Sequence, residues 1–229
     1  MFGKARAALK ELGPLDGALY LLSQALERWC GGARLYRYIL VAQPVSVAPL
    51  LPARRGRSIQ VRPVAAGDPA LAAMPLDAAV LDYRFGQGAV CFGAFQDDVM
   101  IGCQWLILGP YDEDEVRARF VPSPPGRASW DFDIYIRPDQ RAGLAFARLW
   151  DTANAYLRER EVAWSFSRIS AFNPASIASH GRLGARRIGG ATYLRAGRWQ
   201  LMVCGLPPYV HLSGGDGNVP EIPLWPPPG

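Results

Sequence analysis

Apolar residues recur at helical spacing through Leu15, Ala18, Leu19, Leu22, Ala25, Leu26 and Trp29, so residues 14–30 predict a helix with one apolar face. Gly13-Pro14 separates it from another helical stretch at 3–12, and Gly31-Gly32 ends it. Arg34 to Val41 is an apolar run fronted by arginines and tyrosines, and Pro44, Pro49 and Pro52 predict an extended linker after it. From Arg57 the rhythm changes. Residues 58–64 alternate apolar and polar, as a strand does. Asp68-Pro69 opens a helix to about Arg84, with Asp as cap and Pro in the first turn. Ala89–Phe95 and Val99–Leu108 read as a hairpin around Gln96-Asp97-Asp98, and Tyr111–Arg119 as a charged turn or short helix. Trp130–Ile136 is a strand, and Arg141–Arg160 a long helix with Leu144, Leu149, Trp150, Ala153 and Leu157 toward the core. Val162–Phe172 is a strand, Pro174–Leu183 a short helix closed by Gly184, and 185–195 with 198–204 a final hairpin. The order from 57 is β-α-β-β-loop-β-α-β-α-β-β, an α/β pattern. After Cys204 a proline-rich tail is expected to be irregular.

Half of the 229 residues are hydrophobic and 20% are charged, which excludes a disordered chain. No apolar run reaches the roughly 20 residues of a spanning helix, so none is expected. The net charge of +5 is uneven. Residues 1–62 hold ten bases and three acids, a net of +7, and residues 63–229 hold fifteen bases and seventeen acids, a net of −2. The basic N-terminal segment points to an acidic partner: a membrane surface, an acidic protein or nucleic acid. Cys30, Cys91, Cys103 and Cys204 are scattered with no CxxC or Cys/His cluster, so no metal site is expected. With no leader pattern at the N-terminus, the expectation is a cytoplasmic protein with reduced thiols.

The segment from Trp130 to Leu149 runs strand, small-residue turn, helix. Such a turn presents backbone N–H groups at a helix N-terminus, where a pyrophosphate can sit if the side chains are small. Ala142, Gly143 and Ala145 are small, and Arg141 adds charge. The competing reading is an ordinary capped strand-to-helix turn. Gln140-x-x-Gly143-x-Ala145 resembles the acyl-CoA pyrophosphate loop of the GNAT superfamily of N-acetyltransferases, Gln/Arg-x-x-Gly-x-Gly/Ala. Further on, Asn173, Ser176 and Gly184 match that family in register. His180 stands where a Tyr is usual, and Ala185 where an aromatic residue is common. The resemblance covers about 57–204.

The resemblance implies a mixed, mostly antiparallel twisted sheet flanked by helices, its strands 130–136 and 162–172 splayed around a pantetheine arm. Backbone groups near Ile134 and Ile136 would pair with the pantetheine amides. The 140–145 turn (Gln140, Arg141, Ala142, Gly143, Leu144, Ala145), with Asn173 and Ser176, would complete the cofactor site. The acceptor amine would attack the thioester directly. It needs a base, an oxyanion donor and a proton for the departing thiolate. His180 is the expected proton donor, its ordinary pKa of about 6.5 suiting the task; Ser179 and Ser176 are weaker choices, and a surface His at a helix end is the plain alternative. Asp133 and Asp131, two apart on one strand and expected on one face with Tyr135, are candidates for base or amine anchor. Either could instead pair with Arg168. The acidic run 112–115 is expected to be solvated; if functional it would attract a cationic amine. Cys103 and Trp105 are expected in the core or a pocket wall, and His211 to be incidental.

The expected protein is thus a GNAT-type N-acyltransferase, most simply moving acetyl from acetyl-CoA to a small amine. Alternatives are a longer acyl chain from acyl-CoA or an acidic acyl carrier protein, or a non-catalytic acyl-CoA-binding module. The expected divisions are a basic helical extension and linker at 1–56, the acyltransferase-like domain at 57–204 and a tail at 205–229. The N-terminal helix would bind a membrane surface or a carrier protein; the plainer expectation for its Leu-rich face is that it packs on the domain or mediates a homodimer. Nucleic acid loses its appeal, because the positive excess lies outside the resemblance.

Overall fold

A computed structural model describes residues 2–228 apart from 53, 142 and 216, with side chains described from residue 6. In chain order the elements are α1 (Phe2–Leu12), α2 (Pro14–Trp29), β1 (Arg34–Pro44), β2 (Gln60–Val64), α3 (Ala78–Gly86), β3 (Val90–Gln96), β4 (Val99–Ile107), β5 (Tyr111–Asp112), β6 (Arg119–Pro122) and β7 (Ala128–Ile136). There follow α4 (Ala145–Arg158), β8 (Trp164–Ser170), α5 (Pro174–Arg182), β9 (Arg186–Ala196), β10 (Trp199–Cys204), β11 (Val210–Ser213) and β12 (Glu221–Leu224). The fold is mixed α/β, and its sheet is mostly antiparallel. Among the described residues no helix is long and apolar enough to cross a membrane.

The chain divides into two compact units. One comprises residues 44–114 and 122–165. Its strands run β2-β3-β4-β7, each pair antiparallel. The β3–β4 turn places Asp97 at φ 49° and Asp98 at φ 63°. Two successive left-handed residues suit a tight hairpin turn, and Asp tolerates that region better than most residues. Helix α4 buries Leu149, Trp150, Ala153 and Leu157 on one side. Burying each of the two leucines contributes about 1.5–3 kcal/mol. The Tyr156 ring of α4 meets Phe92 of β3 edge-on at 5.3 Å, so α4 covers that face of the sheet. On the other face, Phe85 of α3 meets Trp105 of β4 at 4.9 Å. The helix expected from 68 to 84 is instead two pieces, a 3₁₀ turn at Pro69–Ala73 and α3. Pro75 is the reason: the residue before a proline avoids helical backbone, and Met74 is extended at ψ 149°.

The other unit comprises residues 1–43, 115–121 and 166–229. Here the strand order is β11-β10-β9-β1-β8. Helices α1 and α2 approach so closely that a Cβ on Gly17 would lie 2.8 Å from the Leu9 Cα. Two expectations are corrected. Residues 34–44 are not part of a helical extension. They form β1, hydrogen-bonded to β9 from Arg34↔Arg195 to Ala42↔Arg186. Nor is the tail irregular: β11 pairs with β10, and Arg119 N donates to Pro220 O beside β12.

Candidate active site

Strand β7 carries a bulge. Trp105 of β4 lies opposite Asp133, yet its neighbour Leu106 lies opposite Asp131, so Phe132 is an extra residue on β7. A bulge breaks the two-residue alternation of side chains. Asp131 and Asp133 therefore leave opposite faces of the sheet, and the expectation that they share one is corrected. Asp131 is buried on the α4 face, where the Gln104 amide donates to its Oδ1 at 3.1 Å. Asp133 lies on the Trp105 face with Phe132, whose ring stacks on Tyr111 at 4.1 Å.

Asp133 pairs with an arginine that sequence reasoning missed. Arg84, in the last turn of α3, donates from Nη1 to Asp133 Oδ2 at 2.7 Å and from Nη2 to Asp114 Oδ2 at 2.8 Å. Its guanidinium also lies 5.3 Å from the Trp105 ring centre and 5.2 Å from that of Phe132. Burial alone would lower the Arg84 pKa, but Asp133 and then Asp114 outweigh it and leave the pKa raised. Two carboxylates on one guanidinium leave a net charge of −1. Asp133 carries that charge to the surface: its side chain is 31% exposed, against 12% for Asp114 and 6% for Arg84. Its second oxygen has no hydrogen-bond partner among the described residues.

The acidic run is not a solvated face either. In this unit Asp114 holds Arg84, Glu113 is buried, and the backbone of Asp112 is bridged by the Gln87 amide. In the other unit Glu115 accepts from Arg168 at 2.8 Å and from the Tyr38 hydroxyl at 2.9 Å. Arg168, weighed as a partner for the β7 carboxylates, is bound to Glu115 and lies over the Tyr38 ring.

β7 is buried through Phe132 and half-buried from Asp133 to Ile136, so Ile134 and Ile136 lie on its more open half. The chain then turns through a 3₁₀ turn at Pro138–Gln140, and Gly143 N donates to Gln140 O at 3.0 Å. A Cβ on Gly143 would stand 3.1 Å from that same oxygen. Arg141 is exposed, donating to Ile136 O, and Gln140 donates to Asp139. Ala142 lies outside the described residues. Leu144 occupies the N-cap of α4 and supplies no side-chain hydrogen bond, and the first turn from Ala145 holds no acid. Leucine is among the poorest N-caps. The leading N–H groups of a helix have no intrahelical acceptor, and the dipole makes that end positive. Among the described residues the turn thus joins small residues at Gly143 and Ala145 to a helix N-terminus whose first turn holds no acid, features that suit a phosphate group.

The α5 residues belong to the other unit. The Asn173 side chain caps α5, accepting from Ser176 N at 3.0 Å, and Ser179 donates to Ala175 O. His180 is 3% exposed, and burial pushes its pKa down to about 4. It is therefore neutral at physiological pH. Among the described residues no group of three or more His, Cys, Asp or Glu side chains is arranged to hold a metal ion.

No family model matches the chain, and no curated protein matches it. Solved structures do. A protein of unknown function from Staphylococcus epidermidis is similar at a TM-score of 0.52 and 10% identity, over 77% of this chain and 67% of that one. A GNAT-family putative acetyltransferase from Novosphingobium aromaticivorans gives a TM-score of 0.47 at 15% identity, over 70% and 65%. A tandem GNAT protein of the clavulanic acid biosynthesis pathway gives 0.46 at 17% identity, over 72% of this chain and 55% of that one. At 10% identity the likeness to the Staphylococcus epidermidis protein is one of fold alone.

Proposed function

We propose that this protein is an acyl-CoA-dependent N-acyltransferase that acylates a primary amine of a small cationic molecule, most simply with acetyl from acetyl-CoA. One observation carries the reading. The uncapped, acid-free start of α4 follows directly on the half-open end of β7, where Asp133 presents an oriented carboxylate. The N–H groups at the head of α4 would bind the pyrophosphate, with Arg141 adding charge and Gln140, Gly143, Leu144 and Ala145 shaping the turn. Backbone groups of Ile134 and Ile136 would take the pantetheine amides. Asp133 would anchor the acceptor ammonium and pass on the proton it must lose. The neutral nitrogen then attacks the thioester carbonyl; the C–N bond forms as the C–S bond breaks, and the thiolate takes up a proton. That proton comes from solvent: the buried His180 is neutral, and a neutral imidazole is far too weak an acid to protonate a thiolate, so His180 is left without the donor role. Asn173 and Ser176 contribute by fixing the start of α5. Asp131, facing α4, is left without the anchoring role.

A second reading, a longer acyl chain delivered at a membrane surface or by an acidic carrier protein, is favoured by α2. Its Leu15, Leu22 and Trp29 are spaced seven apart and are 62%, 46% and 72% exposed. In either case the protein would act in the cytoplasm.

The test is the melting temperature of the purified protein at saturating acetyl-CoA and at saturating long-chain acyl-CoA. A rise of several degrees with acetyl-CoA is expected. A rise with the long-chain thioester alone moves the donor to the second reading, and no rise with either overturns both.

A further inference from the structure

Strands β10 and β11 turn one side to their own core and the other to solvent, and the solvent side is the more apolar. Along β10, Gln200, Met202 and Cys204 are buried, while Trp199, Leu201 and Val203 are 48%, 39% and 51% exposed. In β11 the polarity is inverted. His211 and Ser213 share the inner side and hydrogen-bond to each other at 3.2 Å, while Val210 and Leu212 point outward at 61% and 56% exposure. An antiparallel strand with one wet face alternates apolar-in and polar-out. These two strands are instead patterned for cover on both faces.

The register gathers the outward residues into one patch. Leu201 stands between Leu194 of β9 and Leu212, and Val203 between Thr192 of β9 and Val210. Directly opposed residues on one face lie within side-chain reach, so the rows are continuous. Leu194 is itself 38% exposed. None of these side chains is charged, and the Thr192 hydroxyl already accepts from Arg37 Nη1 at 2.8 Å. Scaled to whole side-chain areas on the order of 200 Å², the six exposures leave roughly 500 Å² of apolar surface in water. Monomeric soluble proteins rarely expose a contiguous apolar patch above a few hundred Å².

We propose that this face of β9, β10 and β11 is a homodimer interface, covered by the same patch of a second copy about a twofold axis. Area and chemistry both select a second copy. A patch laid on itself covers roughly 1,000 Å² in all before its polar rim is counted, which reaches the size of a stable interface. An uncharged face carries nothing to select a partner of opposite charge, and homodimer interfaces are the apolar class. Two such faces pack about 10 Å apart with side chains interdigitated, as the sheets of a sandwich do. The interface does not depend on the proposed transfer.

The test is the mass of the full-length protein by sedimentation velocity across the micromolar range. A dimer that dissociates on dilution is expected. Val203→Lys and Leu212→Lys, at two of the more exposed positions, should each weaken association at least about thirtyfold, with an unchanged far-UV spectrum. Leu201→Cys keeps the decision open if a lysine variant misfolds. Its thiol should react with a maleimide about tenfold more slowly in the dimer than in dilute protein, read site by site by mass spectrometry. A monomer throughout the series overturns the proposal, whether it stays alone or takes up vesicles of phosphatidylcholine and phosphatidylglycerol. So does a folded lysine variant that dimerises like the unmodified protein, or equal thiol rates in dilute and concentrated protein.

Discussion

Arg84 grips Asp133 by one oxygen only, Nη1 to Oδ2 at 2.7 Å, while holding Asp114 with its other nitrogens at 2.8 and 2.9 Å. The grip orients the more exposed carboxylate and leaves its other oxygen open. Removing the arginine would leave Asp114, with a 12% exposed side chain, without its guanidinium. Breaking a buried pair from one side costs about 3–5 kcal/mol. Arg84→Met is therefore expected to lose about that much in urea unfolding. Asp133→Asn, at the more exposed end, should lose clearly less. Equal losses would mean that the two carboxylates are not used as the geometry implies.

Asp133 was legible as a candidate from its strand and residue type; its partner and its face were not. The strand pattern of Trp130–Ile136 gives no sign of a bulge, because Phe132 is as good a strand residue as its neighbours. Without the bulge, Asp131 and Asp133 share a face; with it they part. Arg84 was hidden because it ends an otherwise unremarkable helix, although one arginine beside Phe85 and a downstream run of four acids was a usable signal. The 140–145 turn could be proposed from the sequence because its chemistry is local: small residues and a strand-to-helix step lie within one segment. β1 was not, because its place beside β9 depends on residues some 150 positions away.

The phosphate-binding role proposed for the 140–145 turn has a direct test. A side chain on Gly143 starts 3.1 Å from Gln140 O, and a glutamate there also places an anion at the positive end of α4. Gly143→Glu is expected to abolish the rise in melting temperature that acyl-CoA produces. Gly143 is exposed, so the unliganded melting temperature should change by only a few degrees. Normal acyl-CoA protection in this variant would remove the turn from the site.

His180 makes stability depend on pH. Burial lowers its folded pKa to about 4 from an ordinary 6.5. Between those values the unfolded chain binds a proton that the folded protein refuses, so stability falls as pH drops from 6.5 to 4 and is level above 6.5. A shift of this size corresponds to about 3 kcal/mol at most. His180→Leu should show a shallower loss between pH 7 and pH 5 than the unmodified protein, read from urea midpoints at each pH. Parallel curves would show that His180 is not held neutral in the fold.

The N-terminal helices and the strand behind them should separate experimentally. Strand β1 begins at Arg34 and is hydrogen-bonded along nearly its whole length to β9. Its Tyr38, Leu40 and Ala42 are buried, so removing it opens a core. Cutting instead at residue 32 removes α1 and α2 but leaves the strand. That exposes the side of β1 that α2 covers, where Ser23 donates to Leu35 O and Tyr20 meets Phe172 at 5.4 Å. Deletion of 1–32 is therefore expected to give a folded protein with a lowered melting temperature, and deletion of 1–56 an unfolded or aggregated one. If α2 is also the membrane contact, the 1–32 deletion should lose binding to anionic vesicles while keeping acyl-CoA protection. A folded 1–56 deletion would mean that β1 is dispensable, and retention of vesicle binding without α2 would place the membrane contact elsewhere.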